Sequence, residues 1–299
     1  MNLQNNSAIA AILVTYKKNE SLKNSLNSVK AQTLCPAEVL VVDNAQSKST
    51  HDIVISAGAT YIRGDNNFGG SGGFARGITE AINKGYELFW LLDDDGMAKE
   101  DCLEVLYRVK EENDVKIVGP LSISLENSAK SSNPFIFGVK KIDSVSELQK
   151  YSLLMNKVQF FNGVLLTREV VEIVGLPDHR LFIRGDEVDF AIRCHSHFRS
   201  LLATKSLYYH PSSESEYAGA RSFILSANIP NDPVKSFYQF RNRGYIVRKY
   251  RKYHLAIYDW IRYPYRFLFV DGFNLKGLNH WARVWIKGFL KNLEPYEKK

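Results

Sequence analysis

Cysteine is scarce in this chain, and the three that occur, Cys35, Cys102 and Cys194, stand far apart with no C-x-x-C pair. That spacing excludes a disulfide framework and a cysteine-ligated zinc site, and it suits buried thiols in a reducing cytoplasm. Long apolar runs are missing too. A membrane-spanning helix needs about 20 mostly apolar residues, and the best candidate is interrupted by Asp259, Arg262, Arg266 and Asp271. The opening stretch MNLQNNSAIAAILVTY lacks a basic n-region, and its apolar run is only strand-sized, so no signal peptide is expected. There is no internal repeat. The glycine-rich stretch at 63–77 is not followed by Lys-Ser/Thr, which excludes a Walker-type phosphate loop.

What is present is a globular composition: 299 residues, 45% of them hydrophobic, enough for one large domain or two ordinary ones. The net charge of +7 hides an asymmetry. Residues 232–299 hold 15 Lys+Arg against 5 Asp+Glu, a sum of +10, which leaves −3 for residues 1–231. The same segment holds 17 of the 37 aromatic residues. Two regions are therefore expected: a catalytic-looking body over 1–231 and a basic, aromatic helical module over 232–299.

Short apolar runs alternate with amphipathic stretches over the first 120 residues. Strands are predicted at 8–15, 38–44, 59–63, 87–92 and 115–119. Helices are predicted at 20–32, 72–85 and 99–112, where apolar residues recur every three or four positions. This alternation predicts an α/β fold with a mostly parallel sheet covered by helices on both faces. Such sheets bind ligands at the carboxyl ends of their strands. Residues 121–157 are polar and weakly patterned and read as loops. Strands at 158–167 and 200–211, helices at 168–175 and within 181–197, and three C-terminal helices at 233–250, 254–270 and 278–292 complete the pattern.

Three constellations carry chemistry. In WLLDDDG, Asp93 and Asp95 share one face of an extended chain, and carboxylate oxygens suit hard divalent cations. A solvated acidic turn is the plainer alternative. RGDNNFGGSGGFARG packs five glycines into nine residues from Gly69, between a strand and a helix. It is either a flexible helix start or a place where backbone N–H groups approach an anion, with Arg76 available for a diphosphate. In RGDEVDFAIR, Asp186, Glu187 and Asp189 crowd a helix N-terminus; they are either capping carboxylates or the source of a general base. His210, by itself, reads more readily as a structural histidine than as a ligand.

In order along the chain, ILVTYKKNESLKNSLNSVKAQT, VLVVDN, DNNFGGSGGFARGI, WLLDDDG, FFNGVLLTREV, FIRGDEVDFAIR and YQFRNRGY resemble the inverting nucleotide-sugar glycosyltransferases of family 2, over about residues 8–242. NNFGGSGGFARG together with FIRGDEVDFAIR is most similar to the bacterial galactofuranosyltransferase branch, with dTDP-rhamnose-dependent rhamnosyltransferases as the alternative. The resemblance implies a GT-A fold, Rossmann-like, and it implies roles. Thr15, Asp43 and Asn44 match positions that hold the nucleoside. Asn67, Gly69, Gly70 and Arg76 match the lining of the donor sugar and diphosphate. Asp93 and Asp95 match the metal-binding motif for Mn²⁺ or Mg²⁺, with His210 at a third ligand position and Asp94 near the ribose or donor sugar. Asn162 and Gly163 match the segment beside the acceptor. Glu187 falls where the family places its catalytic base; many members have Asp there, and Asp186 is the alternative.

The partners implied are a nucleotide-sugar donor and a glycan or lipid-linked glycan acceptor in cell-surface polysaccharide synthesis, such as an O-antigen. For the basic aromatic module, an anionic membrane surface is preferred over nucleic acid, because WIRYPYRFLFV places aromatics and arginines as a lipid interface does. No nucleic acid is expected as a partner. Packing on a second subunit is the structural alternative, and a cytoplasmic protein peripheral to the inner face of the membrane is expected. A carbohydrate- or nucleotide-binding protein without turnover is the reading from another functional class.

Overall fold

The computed structural model describes residues 8–64, 66–138, 140–212, 216–217 and 227–297; Asp65 of the glycine-rich stretch lies outside them. Packing divides the described residues into two compact units, one drawn from Met1–His179 and Phe190–Ser212, the other from Arg180–Asp189 and Ser213–Lys299.

The elements of the first unit, in chain order, are β1 (Ile9–Thr15), α1 (Asn19–Lys30), β2 (Glu38–Asp43), α2 (Lys48–Ser56), β3 (Thr60–Arg63), α3 (Gly69–Asn83), β4 (Leu88–Asp93), β5 (Met97–Ala98), α4 (Cys102–Asn113), β6 (Ile117–Ser124), β7 (Lys130–Phe137), β8 (Lys140–Ser144), α5 (Val145–Leu148), β9 (Leu153–Met155), β10 (Val164–Thr167) and α6 (Arg168–Val174). Then come α7 (Asp186–His197), whose first turn belongs to the second unit, and β11 (Ser200–His210). The sheet has the order β3-β2-β1-β4-β10-β6-β11-β5. Its first four strands are all parallel. Strand β10 then enters antiparallel to both β4 and β6, and β6 pairs parallel with β11. The sheet is thus parallel across the half that ends at Asp43 and Asp93, and mixed beyond.

Both faces of that parallel half are covered, which is why its strands read as unbroken apolar runs. Ala10, Ile12 and Val14 of β1 join one core with Phe74 and Ile78 of α3 and Val170 of α6. Ile9, Ala11 and Leu13 join the other with Leu22 and Leu26 of α1 and Leu103 and Leu106 of α4. Glycines set the distance of α3 from the sheet: a Cβ at Gly77 would lie 2.4 Å from Ile12 Cγ2, and one at Gly73 would lie 2.3 Å from Val14 Cγ1. Two of the glycines in the 69–77 cluster are therefore packing residues.

Three expectations need correction. Residues 121–157 are not loops: β6 continues to Ser124, and β7, β8, α5 and β9 follow. Buried Ser122, Ser124, Ser131 and Ser132 dilute the apolar pattern there. The strand expected at 158–167 is confined to Val164–Thr167, because Phe161 and Gly163 take positive φ (72° and 79°) and turn the chain. Helix α2, which has no strong apolar periodicity, was not anticipated; only Thr50 and Val54 of it are buried.

The second unit contains α8 (Pro233–Lys249), α9 (Tyr253–Tyr265), a π-turn at Arg266–Val270 and α10 (Leu275–Phe289). Its core is aromatic, built from Phe237, Tyr238, Phe240, Tyr263, Phe267, Trp281 and Trp285. A fully buried Asp259 is paired with Arg243 at 2.8 Å and Arg262 at 3.0 Å, and Trp285 Nε1 donates to it at 3.3 Å.

The α3–β1 contact gives a test. Replacing a helical glycine by alanine ordinarily stabilises by about 0.8–1 kcal/mol, but overpacking costs about 1–3 kcal/mol. Gly77→Ala is expected to lower the urea midpoint by an amount equivalent to roughly 1 kcal/mol. A raised midpoint would show that α3 is not set against β1 by its glycines.

Candidate active site

Four of the strands end their chemistry-bearing residues at one edge of the first unit. Register places Thr15 opposite Asp43 and Val14 opposite Asp93, so the ends of β1, β2 and β4 lie side by side. Strand β11 ends at His210. The ligand atoms of Asp93, Asp95 and His210 all lie within 4.8 Å of one another.

Each aspartate of the triplet has a different partner. Thr15 Oγ1 donates to Asp94 Oδ2 at 2.8 Å, and the Tyr16 N–H donates to the same oxygen at 3.2 Å. Lys18 Nζ lies 2.5 Å from Asp95 Oδ2 and 3.5 Å from Asp94 Oδ1. His210 Nε2 lies 3.0 Å from Asp95 Oδ1. The backbone of the triplet is pinned as well, since Tyr208 OH and Ser25 Oγ both donate to the Asp93 carbonyl, at 3.3 and 3.2 Å.

The electrostatics follow from this crowding. Burial, then the Asp95 and Asp94 charges, push the Asp93 carboxyl up to about 7. Burial also raises Asp94, against the pull of Lys18 and the Thr15 hydrogen bond. Burial would raise Asp95 too, but the hydrogen bond and charge of His210, with the Lys18 ammonium, hold it well below the usual carboxylate range. Burial works to lower His210, and the Asp95 hydrogen bond and charge outweigh it, so His210 lies above its ordinary value.

These residues fit a divalent cation. Asp95 Oδ1 is buried and faces His210 Nε2 at 3.0 Å. His210 Nδ1 is 2.9 Å from the Pro211 carbonyl. A carbonyl only accepts, so Nδ1 donates to it and the ring is fixed with Nε2 facing the carboxylates; with a cation bound, Nε2 would give up its proton and its lone pair would be the ligand. Two carboxylates and an imidazole form a set suited to Mn²⁺ or Mg²⁺.

Other expected residues take clear positions. Asp43 is fully buried: Oδ1 accepts from the Ala45 N–H at 2.8 Å, while Oδ2 accepts from the Ser47 N–H at 2.8 Å and Tyr61 OH at 3.0 Å. It shapes the loop after β2. Asn44 Nδ2 donates to the Gly69 carbonyl at 2.9 Å, and Asn67 Oδ1 accepts from the Gly69 N–H at 3.0 Å. The two asparagines thus fix the start of α3, on which Gly70 and the half-buried Arg76 sit. Gly163 is buried, its carbonyl accepting from Trp90 Nε1 at 3.0 Å, and Asn162 beside it is half-buried.

In the second unit, Asp186 and Glu187 open α7. Asp186 is buried, and burial followed by the Glu187 charge pushes its carboxyl well above the usual range. Glu187 Oε2 accepts from the Gly185 N–H at 3.0 Å. Asp189, the third carboxylate of the motif, is fully buried, 2.5 Å from Lys249 Nζ, and accepts from Tyr250 OH at 2.8 Å; it is a structural ion pair. Arg184 pairs with Glu216, which also meets Lys235 Nζ at 2.6 Å.

Residues 10–159 match the family described as glycosyl transferase family 2. The chain is 32% identical over 288 residues to the galactofuranosyltransferase GlfT1 of Mycolicibacterium smegmatis, covering 92% of this chain and 94% of the relative. This chain belongs to glycosyl transferase family 2. It is also 26% identical over 254 residues to the dTDP-rhamnosyl transferase RfbF of Shigella flexneri, covering 82% of this chain and 81% of the relative. Among solved structures it resembles TarS of S. aureus, with a TM-score of 0.58 at 15% identity over 96% of this chain and 49% of TarS. That likeness supports the expected GT-A fold, and family membership makes the chain a glycosyltransferase.

Sequence reasoning passed over Lys18, Tyr61 and Tyr208. Lys18 had a signal, lying three residues beyond Thr15 at the end of β1. The two tyrosines had none, because their roles depend on strand pairing.

The titration directions set a pH test for metal binding. Asp93 must be ionised and His210 neutral to hold a cation, so protons compete with it below about pH 7. The affinity for Mn²⁺, followed by its electron spin resonance signal, should fall at least tenfold from pH 8 to pH 6, and Asp95→Asn should weaken it at both. Equal affinity at the two pH values would remove Asp93 and His210 from the ligand set.

Proposed function

We propose that this chain is an inverting, metal-dependent hexosyltransferase that moves galactofuranose from UDP-galactofuranose to a hydroxyl of a glycan or lipid-linked glycan in cell-surface polysaccharide synthesis. The convergence of Asp93, Asp95 and His210 on one sheet edge carries the metal dependence. The donor rests on the similarity to GlfT1, at 32% identity over nearly the whole chain.

Asp93, Asp95 and His210 would hold Mn²⁺ or Mg²⁺; the imidazole favours Mn²⁺. When bound, the cation supplies positive charge to the diphosphate leaving group. Lys18 brings a second cation to the same edge. Thr15 and Asn44 lie where the nucleoside is held, and Asp43 acts there through the loop it shapes. Asp94 meets the ribose or donor sugar. The start of α3, with Asn67, Gly69, Gly70 and Arg76, receives the diphosphate and donor sugar, and Asn162 and Gly163 lie beside the acceptor. Glu187 takes the proton from the acceptor hydroxyl as that oxygen attacks the anomeric carbon. One C–O bond forms as the sugar–phosphate bond on the opposite face breaks, so the configuration inverts in a single displacement. The raised Asp186 supports Glu187 as the base of the pair, since a protonated carboxyl cannot accept the proton; it can instead donate a hydrogen bond to Glu187.

The similarity to RfbF favours dTDP-rhamnose as the second reading. Purified protein with Mn²⁺ should turn over UDP-galactofuranose in preference to UDP-galactopyranose and dTDP-rhamnose, and Glu187→Gln should lower that turnover by about 10²-fold or more. Turnover of dTDP-rhamnose alone transfers the assignment to the second reading. No turnover of any donor would favour a non-catalytic binding protein.

We place the acceptor side at a membrane surface. Among the described residues no helix is long and apolar enough to cross a membrane. The attachment proposed is peripheral, on the cytoplasmic face. Ile257, Ile261 and Tyr265 follow at four-residue spacing on α9, and Phe269 and Phe273 extend the ridge, with ring centroids 5.6 Å (Tyr265–Phe269) and 6.2 Å (Phe269–Phe273) apart. Ile257, Phe269 and Phe273 are 66%, 68% and 68% exposed. The +10 charge of residues 232–299 complements anionic lipid, at about 1 kcal/mol per basic residue near the surface. Phe269→Glu with Phe273→Glu should reduce co-sedimentation with vesicles containing phosphatidylglycerol, and added salt should do the same. If the variant instead turns a dimer into a monomer by light scattering, the ridge covers a second copy.

A further inference from the structure

The segment that leads into the Asp186–Glu187 pair has an unfavourable backbone. Phe182 and Arg184 adopt positive φ of 67° and 61°, and Gly185 a φ of 99°. Only glycine takes such angles without steric penalty, and non-glycine residues hold them when the surroundings over-determine the conformation. Here the surroundings are two buried side chains of α8. Asn242 is fully buried, and its Nδ2 donates to three carbonyls of the segment: those of Leu181 at 2.8 Å, Ile183 at 3.0 Å and Arg184 at 2.8 Å. Arg241, also fully buried, donates to the Arg180 and Leu181 carbonyls through Nη2 at 2.6 and 3.3 Å. It orients Asn242 as well, since Nε and Nη2 both donate to Asn242 Oδ1 at 3.0 and 2.8 Å. The other arm of the same guanidinium reaches the Leu293 and Glu294 carbonyls at 3.1 and 2.8 Å.

We infer that Arg241 and Asn242 are positioning residues for the base, which set the Leu181–Gly185 segment in the one conformation that delivers Glu187. The inference rests on the reading of Glu187 as the base. Its chemistry is that of an amide and a guanidinium reading carbonyl oxygens. The contact commits a buried charge and a buried amide to the carbonyls of four of the five residues 180–184, directly before the first turn of α7. The Gly185 N–H at the end of the clamped segment is itself the donor to Glu187 Oε2. A shift of the clamp is therefore passed to the carboxylate through a single peptide.

Asn242→Asp is the decisive variant, because it keeps the side-chain shape and turns the donor into an oxygen facing three carbonyls. With UDP-galactofuranose as donor and octyl glycosides or water as acceptor, kcat should fall about 10–100-fold, as misplacing a catalytic group does, while the donor KM stays within about threefold. In a Glu187→Gln background the same change should cost less than about twofold, because the misplaced base is already absent. Gly185→Ala, strained at its φ of 99° and meeting Asn242 Cβ at 3.2 Å, should reproduce this pattern from the other side of the joint if Asn242→Asp does not fold. Equal losses in both backgrounds would overturn the positioning role and leave a fold-stabilising contact. A wild-type rate for Asn242→Asp beside an inactive Glu187→Gln would sink the inference alone, whereas a fully active Glu187→Gln would sink the reading beneath it.

Discussion

Three adjacent carboxylates at the end of a buried strand are the constraint around which the first unit is arranged. Unpartnered, they would repel and lose hydration, and the Asp93 carboxyl, pushed up to about 7, records that cost. The chain meets the constraint with groups from three strand ends. β1 brings the hydroxyl of Thr15 and the loop after it Lys18, β4 brings the aspartates, and β11 brings His210. Remove the parallel alignment of β1 and β4, or the partnership of β11 with β6 and β5, and these groups no longer meet. The sheet topology is in this sense a device for delivering an ammonium, an imidazole and a set of hydrogen-bond donors to one acidic turn.

The glycine-rich stretch shows how one motif serves two needs. Its C-terminal glycines, Gly73 and Gly77, let α3 close on β1, while its N-terminal end is held by Asn44 and Asn67. Both needs act on the same result. A helix whose axis is fixed by close packing and whose first residue is tied by two side-chain hydrogen bonds presents its N-terminus with little freedom, as the diphosphate site proposed there would require.

The parts of the fold that were legible in the sequence are those with a periodic burial pattern. Strands β1, β2 and β4 read plainly because both faces are buried, and α1, α3 and α4 because one face is. The region 121–157 did not read, because its strands bury serines and its hairpin, β7 with β8, sits at a sheet margin where polar residues are tolerated. The triplet Asp93, Asp94 and Asp95 was legible as an electrostatic cost seeking a cation; that His210, 115 residues beyond Asp95 in sequence, is its neighbour was available only through family resemblance, because no local pattern encodes a parallel crossover.

Arg241 and Asn242 mark the limit of pattern reading most clearly. In YQFRNRGY they look like the polar face of a basic helix, and charge counting assigns them to solvent or lipid. Both are fully buried. Asp259 of α9 is likewise buried, between two arginines, while Ile257 and Ile261 on that helix are exposed. In the second unit, then, part of the charge is turned inward to hold backbone and helices, and part of the apolar surface is turned outward. A module that needed only stability would gain by the opposite arrangement, because buried ion pairs repay their desolvation poorly and exposed aromatics gain nothing in water. The positioning role proposed for Arg241 and Asn242 and the surface attachment proposed for the ridge on α9 would each make use of this inversion.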